Sequence, residues 1–429
     1  MTFNIITFGC KVNQCESEDI RETMTKENFN FVSGFDSAEV VIINSCTVTG
    51  ESDRKLRQTI HRVKRINKNC ILVLTGCMPQ AEPDIAQKIK DIDIIVGNSN
   101  KSLIPKMVSE FLYKKNQIFN IEPIKNLIKF ENGVVNHSQN RSRAFLKIQD
   151  GCNRFCSYCI IPYARGRVRS KSIEQLRNDA LIISENGYKE IVLVGINLSS
   201  YGFDLGCNLA DAVHVVAEIP GIERIRLGSL EPDLMTDDLI NELSKESKLC
   251  PQFHLSLQSG SDKILKIMRR RYNREEYLKV VNKLRSTFKD ASITTDIMVG
   301  FPGETEEDFN DTIRIIDEAE FLKVHVFPYS PRPNTPAAAM ENQISRNTKA
   351  ERVKKVIEKS DKRSKIVLSG FLENFADVLY ETVDDMGFYE GYTPNYISVK
   401  TRFPYDVRGK IVKTYLSCVR ENFIEGLFK

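Results

Sequence analysis

Short apolar runs alternate with longer amphipathic stretches along most of this chain, and that alternation limits its fold more than any other feature. Near the start, residues 4–8, 40–44, 71–75 and 94–96 are apolar, and 16–27, 54–67 and 84–89 carry helically spaced apolar side chains between them. A strand–helix succession of this kind predicts a parallel sheet with helices on its faces. The pattern resumes with apolar runs at 145–148, 191–194, 224–227, 253–257, 292–299 and 324–327, separated by helical stretches such as 172–186 and 275–287. Six such units fit a barrel or part of one. The period then shortens over 375–382, 388–392, 396–400 and 410–419, with Gly387, Gly391 and Gly409 as turns. That stretch predicts a small antiparallel β-barrel.

The expected class is therefore α/β. An N-terminal open parallel sheet spans 1–135 and a partial (β/α)6 barrel spans 143–345. A helical connector over 346–369 leads to a β module over 370–429. The polar stretch 121–142, with Asn132, Gly133 and His137, reads as a linker. A chain of 429 residues, 41% hydrophobic and 28% charged, can bury its own cores without disulfides. No apolar run approaches the roughly 18 residues of a spanning helix, so no membrane association is expected. The first residues lack a basic, then apolar, leader pattern. The expected compartment is the cytoplasm, where thiols stay reduced and clustered cysteines more often bind metal than pair. The net charge of +4 says little about partners, whereas eleven cysteines say more.

Cys152, Cys156 and Cys159 lie in one loop, Gly-Cys-Asn-Arg-Phe-Cys-Ser-Tyr-Cys, directly after the first predicted barrel strand. A short loop can bend three thiolates onto one iron–sulfur cluster. Three ligands leave one iron open to a substrate or cofactor. The alternative is zinc, but a structural zinc site wants four ligands in paired spacings. No fourth Cys or His follows in the loop, and His137 lies upstream.

Cys10, Cys46 and Cys77 are far apart in sequence, yet each falls just past the carboxyl end of a predicted parallel strand. Loops at that edge converge on the ligand crevice of an open α/β sheet. Taken singly, each reads as a small packing residue; together, three thiols in one topological position could meet at one metal site. Cys15, Cys70, Cys207, Cys250 and Cys418 have no such placement and are expected to pack.

The CxxxCxxC spacing, with Tyr158 before the last cysteine, resembles the radical S-adenosylmethionine (SAM) superfamily. The resemblance implies a 4Fe–4S cluster on Cys152, Cys156 and Cys159 whose open iron chelates the amino and carboxylate groups of SAM. One electron then splits SAM into methionine and a 5′-deoxyadenosyl radical. It also implies that Tyr158 lies near the adenine and that the loop Gly300-Phe301-Pro302-Gly303-Glu304 approaches SAM. A turn before a helix accounts for Gly300 and Gly303 equally well. Asn197 and Gln258 fall at the same end of the barrel, where active sites gather.

Further stretches extend the resemblance to the methylthiotransferase family over essentially the whole chain. They are Gly9-Cys10-Lys11-Val12-Asn13, Asn44-Ser45-Cys46-Thr47, Thr75-Gly76-Cys77, Tyr163-Ala164-Arg165-Gly166-Arg167 and Tyr329-Ser330-Pro331-Arg332-Pro333. Cys15 and Asn334 depart from the pattern, where Tyr and Gly are expected. The family implies a second 4Fe–4S cluster on Cys10, Cys46 and Cys77 with a sulfur-bearing ligand. The Gly-Cys-Lys-Val-Asn motif resembles the branch that methylthiolates carbon 2 of N6-threonylcarbamoyladenosine at position 37 of tRNA. A low-potential electron donor and a sulfur donor are implied as partners. Alternatives are a methylthiotransferase acting on a ribosomal protein side chain, and a non-catalytic iron–sulfur RNA-binding protein.

Basic residues cluster at Arg141, Arg143, Lys147, Arg154, Arg165, Arg167, Arg169 and Lys171 and again at Lys263, Lys266, Arg269, Arg270, Arg271 and Arg274. Both stretches lie near the expected barrel mouth and suit a tRNA anticodon stem-loop; a solvated basic face is the alternative. Arg165, Arg167, Arg269, Arg270 and Arg271 are the candidate contacts. The last module resembles the TRAM domain, a small β-barrel linked with RNA binding. Acids outnumber bases over 371–429, so contacts there would rest on shape or on stacking by Tyr392 and Tyr396.

Overall fold

The computed structural model describes residues 1–133 and 142–428, so His137 and Arg141 of the expected linker lie outside the described residues. The first six strands are β1 (Thr2–Thr7), β2 (Asn30–Phe31), β3 (Val40–Ser45), β4 (Ile71–Gly76), β5 (Ile94–Val96) and β6 (Ile118–Asn120). They form one parallel sheet in the order β2-β1-β3-β4-β5-β6. Every residue of β3 and β4 is buried, because a parallel sheet covered on both faces has no polar side. Val40, Ile42, Ile71 and Val73 pack on one face with Ile20 and Met24 of helix α1 (Lys11–Lys26). Val41, Ile43, Leu72 and Leu74 pack on the other with Leu56, Ile60 and Val63 of α2 (Gly50–Ile66).

The sequence pattern misses β2 and β6, short edge strands with no buried residue in either. It also starts α1 too late. The helix begins directly after Cys10, and its buried face includes Asn13, Glu16 and Ser17, which interrupt the apolar period. α2 also starts earlier than expected, with the Thr49 hydroxyl capping the Ser52 amide.

The barrel opens with β7 (Arg143–Lys147), and the short antiparallel pair β8 (Gln149–Asp150) and β9 (Arg169–Ser170) brackets the cysteine loop. β10 (Glu190–Val194), β11 (Arg224–Leu227), β12 (Ser229–Leu230), β13 (Gln252–Leu255), β14 (Ser292–Val299) and β15 (Lys323–Pro328) follow, all parallel. They form two sheets, β7-β10-β11 and β12-β13-β14-β15, linked by pairing of Ile225 with Leu249. Among the described residues β7 and β15 do not pair, so the barrel is open along one side. Ile191, Leu193, Ile225, Phe253, Leu255 and Ile297 face the surrounding helices. Val192 and Val194 point inward and meet Val12 and Cys15 of α1, so the N-terminal unit docks into the open barrel.

The helix Arg346–Ser369 leads to β16 (Phe375–Val383), β17 (Phe388–Tyr392), β18 (Ser398–Arg402), β19 (Ile411–Val419) and β20 (Ile424–Leu427). They close a barrel in the order β16-β17-β18-β20-β19. This module caps the N-terminal end of the (β/α) barrel. Arg226 donates to Pro394 O at 2.9 Å and Arg224 to Asp377 O at 2.7 Å. The Ser292 hydroxyl donates to Asn395 O at 2.6 Å. Tyr392 and Tyr396 stack on each other at 4.6 Å, with Arg143 5.0 Å from the first ring and Arg226 4.7 Å from the second. These two tyrosines, the residues through which base stacking by this module would run, pack this junction.

Candidate iron–sulfur active site

Three loops at the carboxyl edge of the first sheet close on one another because two glycines precede the cysteines. Gly9 has φ +107°, and a Cβ there would lie 2.8 Å from the Cys46 Cβ. Gly76 has φ +100°, and a Cβ there would lie 2.4 Å from Ser45 O. Only glycine permits both the conformation and the approach. Asn13 then ties the loops together, its Nδ2 donating to Phe8 O at 2.9 Å and Ser45 O at 3.0 Å. Its Oδ1 faces the Cys10 thiol at 3.7 Å and the Cys77 thiol at 4.0 Å. Cys10 is exposed, while Cys46 and Cys77 are buried. Burial pushes the Cys46 thiol up to about 11. A metal that binds thiolates reverses such a cost.

The second trio sits past the end of β7. Gly151 has φ +74°, and a Cβ there would lie 1.9 Å from Arg167 O. The Cys152 amide donates to Gly166 O at 2.9 Å and the Cys159 amide to Cys156 O at 3.0 Å, folding the loop back on itself. Ser157 anchors it, its amide donating to Met268 O at 3.0 Å and its carbonyl accepting from the Ala337 amide at 2.8 Å. Burial raises the Cys152 and Cys159 thiols, and the nearby Cys156 adds to both. Asn197 Nδ2 lies 3.8 Å from the Cys152 thiol, and its Oδ1 is buried with no partner among the described residues. An orphaned acceptor beside the Cys152 thiol fits a bound molecule with a donor group.

Tyr158 meets Phe301 edge-on at 6.4 Å, and Phe301 meets Tyr329 at 5.3 Å. Gly300 has φ +70° and its amide donates to Glu304 at 2.6 Å. Gly303 has φ +78°, and no atom lies within 4 Å of where its Cβ would stand. Gln258, at φ +73°, joins β13 to β14 through Asp296 O and the Met298 amide, both at 2.8 Å. Tyr158, Asn197, Gln258, Gly300 and Gly303 thus all stand at the thiol end of the barrel.

Among the described residues no three His, Cys, Asp or Glu side chains converge as ligands of one metal ion. The donor set fits a polynuclear cluster, whose thiolates bind separate irons, better than a closed single-ion site. Each trio could hold one such cluster.

Two of the five candidate RNA-contacting arginines are corrected by their burial. Arg165 is fully buried. It donates to Glu16 Oε1 at 2.7 Å, Asp150 Oδ1 at 3.1 Å, Asn13 Oδ1 at 2.8 Å and the Cys77 thiol at 3.2 Å. It ends the short helix Ile161–Arg165 that follows Cys159, so a residue of the barrel's cysteine loop reaches a thiol of the first trio. The side chain of Arg270 is only 4% exposed. It pairs with Glu231 and reaches the Cys156 thiol at 3.4 Å. Neither can touch a phosphate. Arg167, Arg269 and Arg271 are exposed.

Sequence reasoning missed the buried ion network around Arg165. Glu16 also accepts from Lys101 at 2.6 Å and Lys147 at 2.7 Å, and Asp150 from Lys147 at 2.7 Å. Burial raises the Glu16 carboxyl, but Arg165, Lys101 and Lys147 outweigh it and hold it well below the usual range. The available signal was a set of polar side chains, Asn13, Glu16 and Ser17, at core positions of an amphipathic helix.

A parallel sheet and an open (β/α) barrel, each rimmed by three thiols, define an iron–sulfur enzyme of the radical SAM class. Residues 146–316 match the Radical SAM superfamily, and residues 2–97 match Uncharacterized protein family UPF0004. The Threonylcarbamoyladenosine tRNA methylthiotransferase MtaB of Bacillus subtilis is 37% identical over 428 residues, covering 98% of this chain and 95% of that protein. The tRNA-2-methylthio-N(6)-dimethylallyladenosine synthase of Acetivibrio thermocellus is 33% identical, covering 98% and 89%. In fold, the chain is similar to the radical SAM methyltransferase TsrM of Kitasatospora setae. Their TM-score is 0.59 at 12% identity, over 79% of this chain and 77% of that one. The chain belongs to the radical SAM methylthiotransferase family.

Proposed function

We propose that this chain inserts a methylthio group at carbon 2 of N6-threonylcarbamoyladenosine at position 37 of tRNA. The observation that carries this reading is the pair of three-thiol rims, with Arg165 from the barrel's cysteine loop reaching the Cys77 thiol of the other. The full-length similarity to relatives named for that reaction supplies the base. Carbon 2 bears an unactivated C–H bond, beyond the reach of acid–base side chains, so a cofactor must do the hard chemistry. When bound, a 4Fe–4S cluster with SAM supplies a carbon radical for hydrogen abstraction, and a second cluster supplies the sulfur.

The residues have separable tasks. Cys152, Cys156 and Cys159 hold the SAM-binding cluster, and Cys10, Cys46 and Cys77 hold the other. Asn197 offers its free acceptor to SAM, with Tyr158, Gln258, Gly300 and Gly303 lining the same end. The exposed Arg167, Arg269 and Arg271 contact the backbone of the anticodon stem-loop. The target base leaves its stack to enter the barrel mouth. The chain divides functionally at 1–135, 143–345, 346–369 and 370–429, and works with a low-potential electron donor and a sulfur donor.

The test is mass spectrometry of tRNA nucleosides from cells with and without the gene. Loss of the methylthio nucleoside with accumulation of its threonylcarbamoyl precursor is expected. An unchanged profile refutes tRNA as substrate and directs attention to ribosomal proteins.

A further inference from the structure

The open side of the barrel carries a charge with no partner. Lys11, the residue after Cys10, is exposed, and among the described residues its ammonium has neither an ion-pair nor a hydrogen-bond partner. Its ammonium stands 5.7 Å from the centroid of the Phe145 ring. Phe145 stands on the inward face of β7, since Ala144 and Leu146 on either side pack outward.

Across the opening, β13 to β15 present a second set of polar groups on the same inward face. His254 Nε2 lies 3.2 Å from Asp296, and its Nδ1 lies 3.0 Å from the Thr294 hydroxyl. The His325 ring stands 5.7 Å from the His254 ring and within electrostatic reach of Lys11. Desolvation and the neighbouring His254 lower the His325 pKa from its ordinary value. Two residues on, Phe327 is 45% exposed on that face. Asp296 is engaged by His254, and the arginines deeper in the barrel are engaged by Glu190 and Glu381. Lys11 and Lys323, which shares the inward face of β15 with His325, are therefore the cations of this opening that have no ion-pair partner among the described residues.

We propose that this opening is a carboxylate-binding subsite. Lys11 pairs with the free carboxylate of the threonylcarbamoyl group on the target base, and His325 donates to it from the opposite wall. The inference rests on the function proposed above and deepens it: the site selects a base bearing an anionic substituent over one bearing a neutral hydrocarbon. Phe145 and Phe327 supply the apolar surfaces beside the substituent.

The experiment measures binding of three anticodon stem-loops to the anaerobic, cluster-loaded enzyme. One carries threonylcarbamoyladenosine, one its neutral methyl ester and one unmodified adenosine. Wild type should bind the acid about tenfold more tightly than the ester, the worth of one charge-assisted hydrogen bond. Lys11→Gln should bind acid and ester equally, and Lys11→Arg should restore most of the preference. Iron content and the cluster's electron paramagnetic signal check that the Cys10 site is intact. Should Lys11→Gln lose iron, the wild-type comparison of acid with ester decides alone. Equal wild-type binding of acid and ester overturns the inference, as does equal weakening of all three loops by Lys11→Gln. Methylthiolation without such discrimination defeats the subsite alone, whereas unchanged cellular nucleosides defeat the function it rests on.

Discussion

Replacing Arg165 by methionine removes the side chain by which the barrel's cysteine loop reaches the Cys77 thiol. The change deletes charge-assisted bonds to Glu16 at 2.7 and 3.1 Å and to Asp150 at 3.1 and 3.2 Å, with those to Asn13 and Cys77. Removing one partner of a buried ion pair typically costs about 3–5 kcal/mol, because the remaining charge stays desolvated. Lys101 and Lys147 remain on Glu16, and Lys147 and Arg169 on Asp150, which places the loss at the lower end, about 3 kcal/mol. For units of this size that lowers the melting temperature by roughly 6–12 °C. Calorimetry of the anaerobic protein, following the first transition, measures it. Arg165→Lys restores a charge but not the fork, so it should recover part of the melt while Cys77 stays without its donor. Iron bound at the N-terminal trio should fall in both variants. A methionine variant that melts within about 2 °C of wild type, with full iron, refutes the bridge.

Two further outcomes follow from the same geometry. Cys152→Ala should remove about half the bound iron and abolish SAM cleavage, and Cys10→Ala should remove the other half while leaving SAM cleavage measurable; loss of all iron in either would show that the sites are not independent. Glu16 has a folded-state pKa below its unfolded one, so its stabilisation is complete above about 4.3 and is lost as pH falls. Urea midpoints should therefore drop more steeply between about pH 5 and pH 3 in wild type than in Glu16→Gln, and parallel curves would refute that assignment.

The sequence by itself determined the layers and the thiols. Strand runs such as 40–44 and 292–299 are apolar along their length because both faces of a parallel sheet are covered, and that requirement is local enough to read directly. Gly9-Cys10 and Gly76-Cys77 are likewise legible: a tight turn after a strand needs glycine, and the following side chain falls at the crevice. What the pattern cannot carry is the fate of a charge. Arg165 and Arg270 sit in basic stretches, where an isolated arginine belongs at the surface. Their burial depends on Glu16, 149 residues from Arg165, and on Glu231, 39 residues from Arg270. The same holds for Tyr392 and Tyr396, whose partners Arg143 and Arg226 come from a different part of the chain. Periodicity is a property of neighbouring residues. Desolvating a charge is favourable only beside its partner, and only the tertiary structure brings that partner to it.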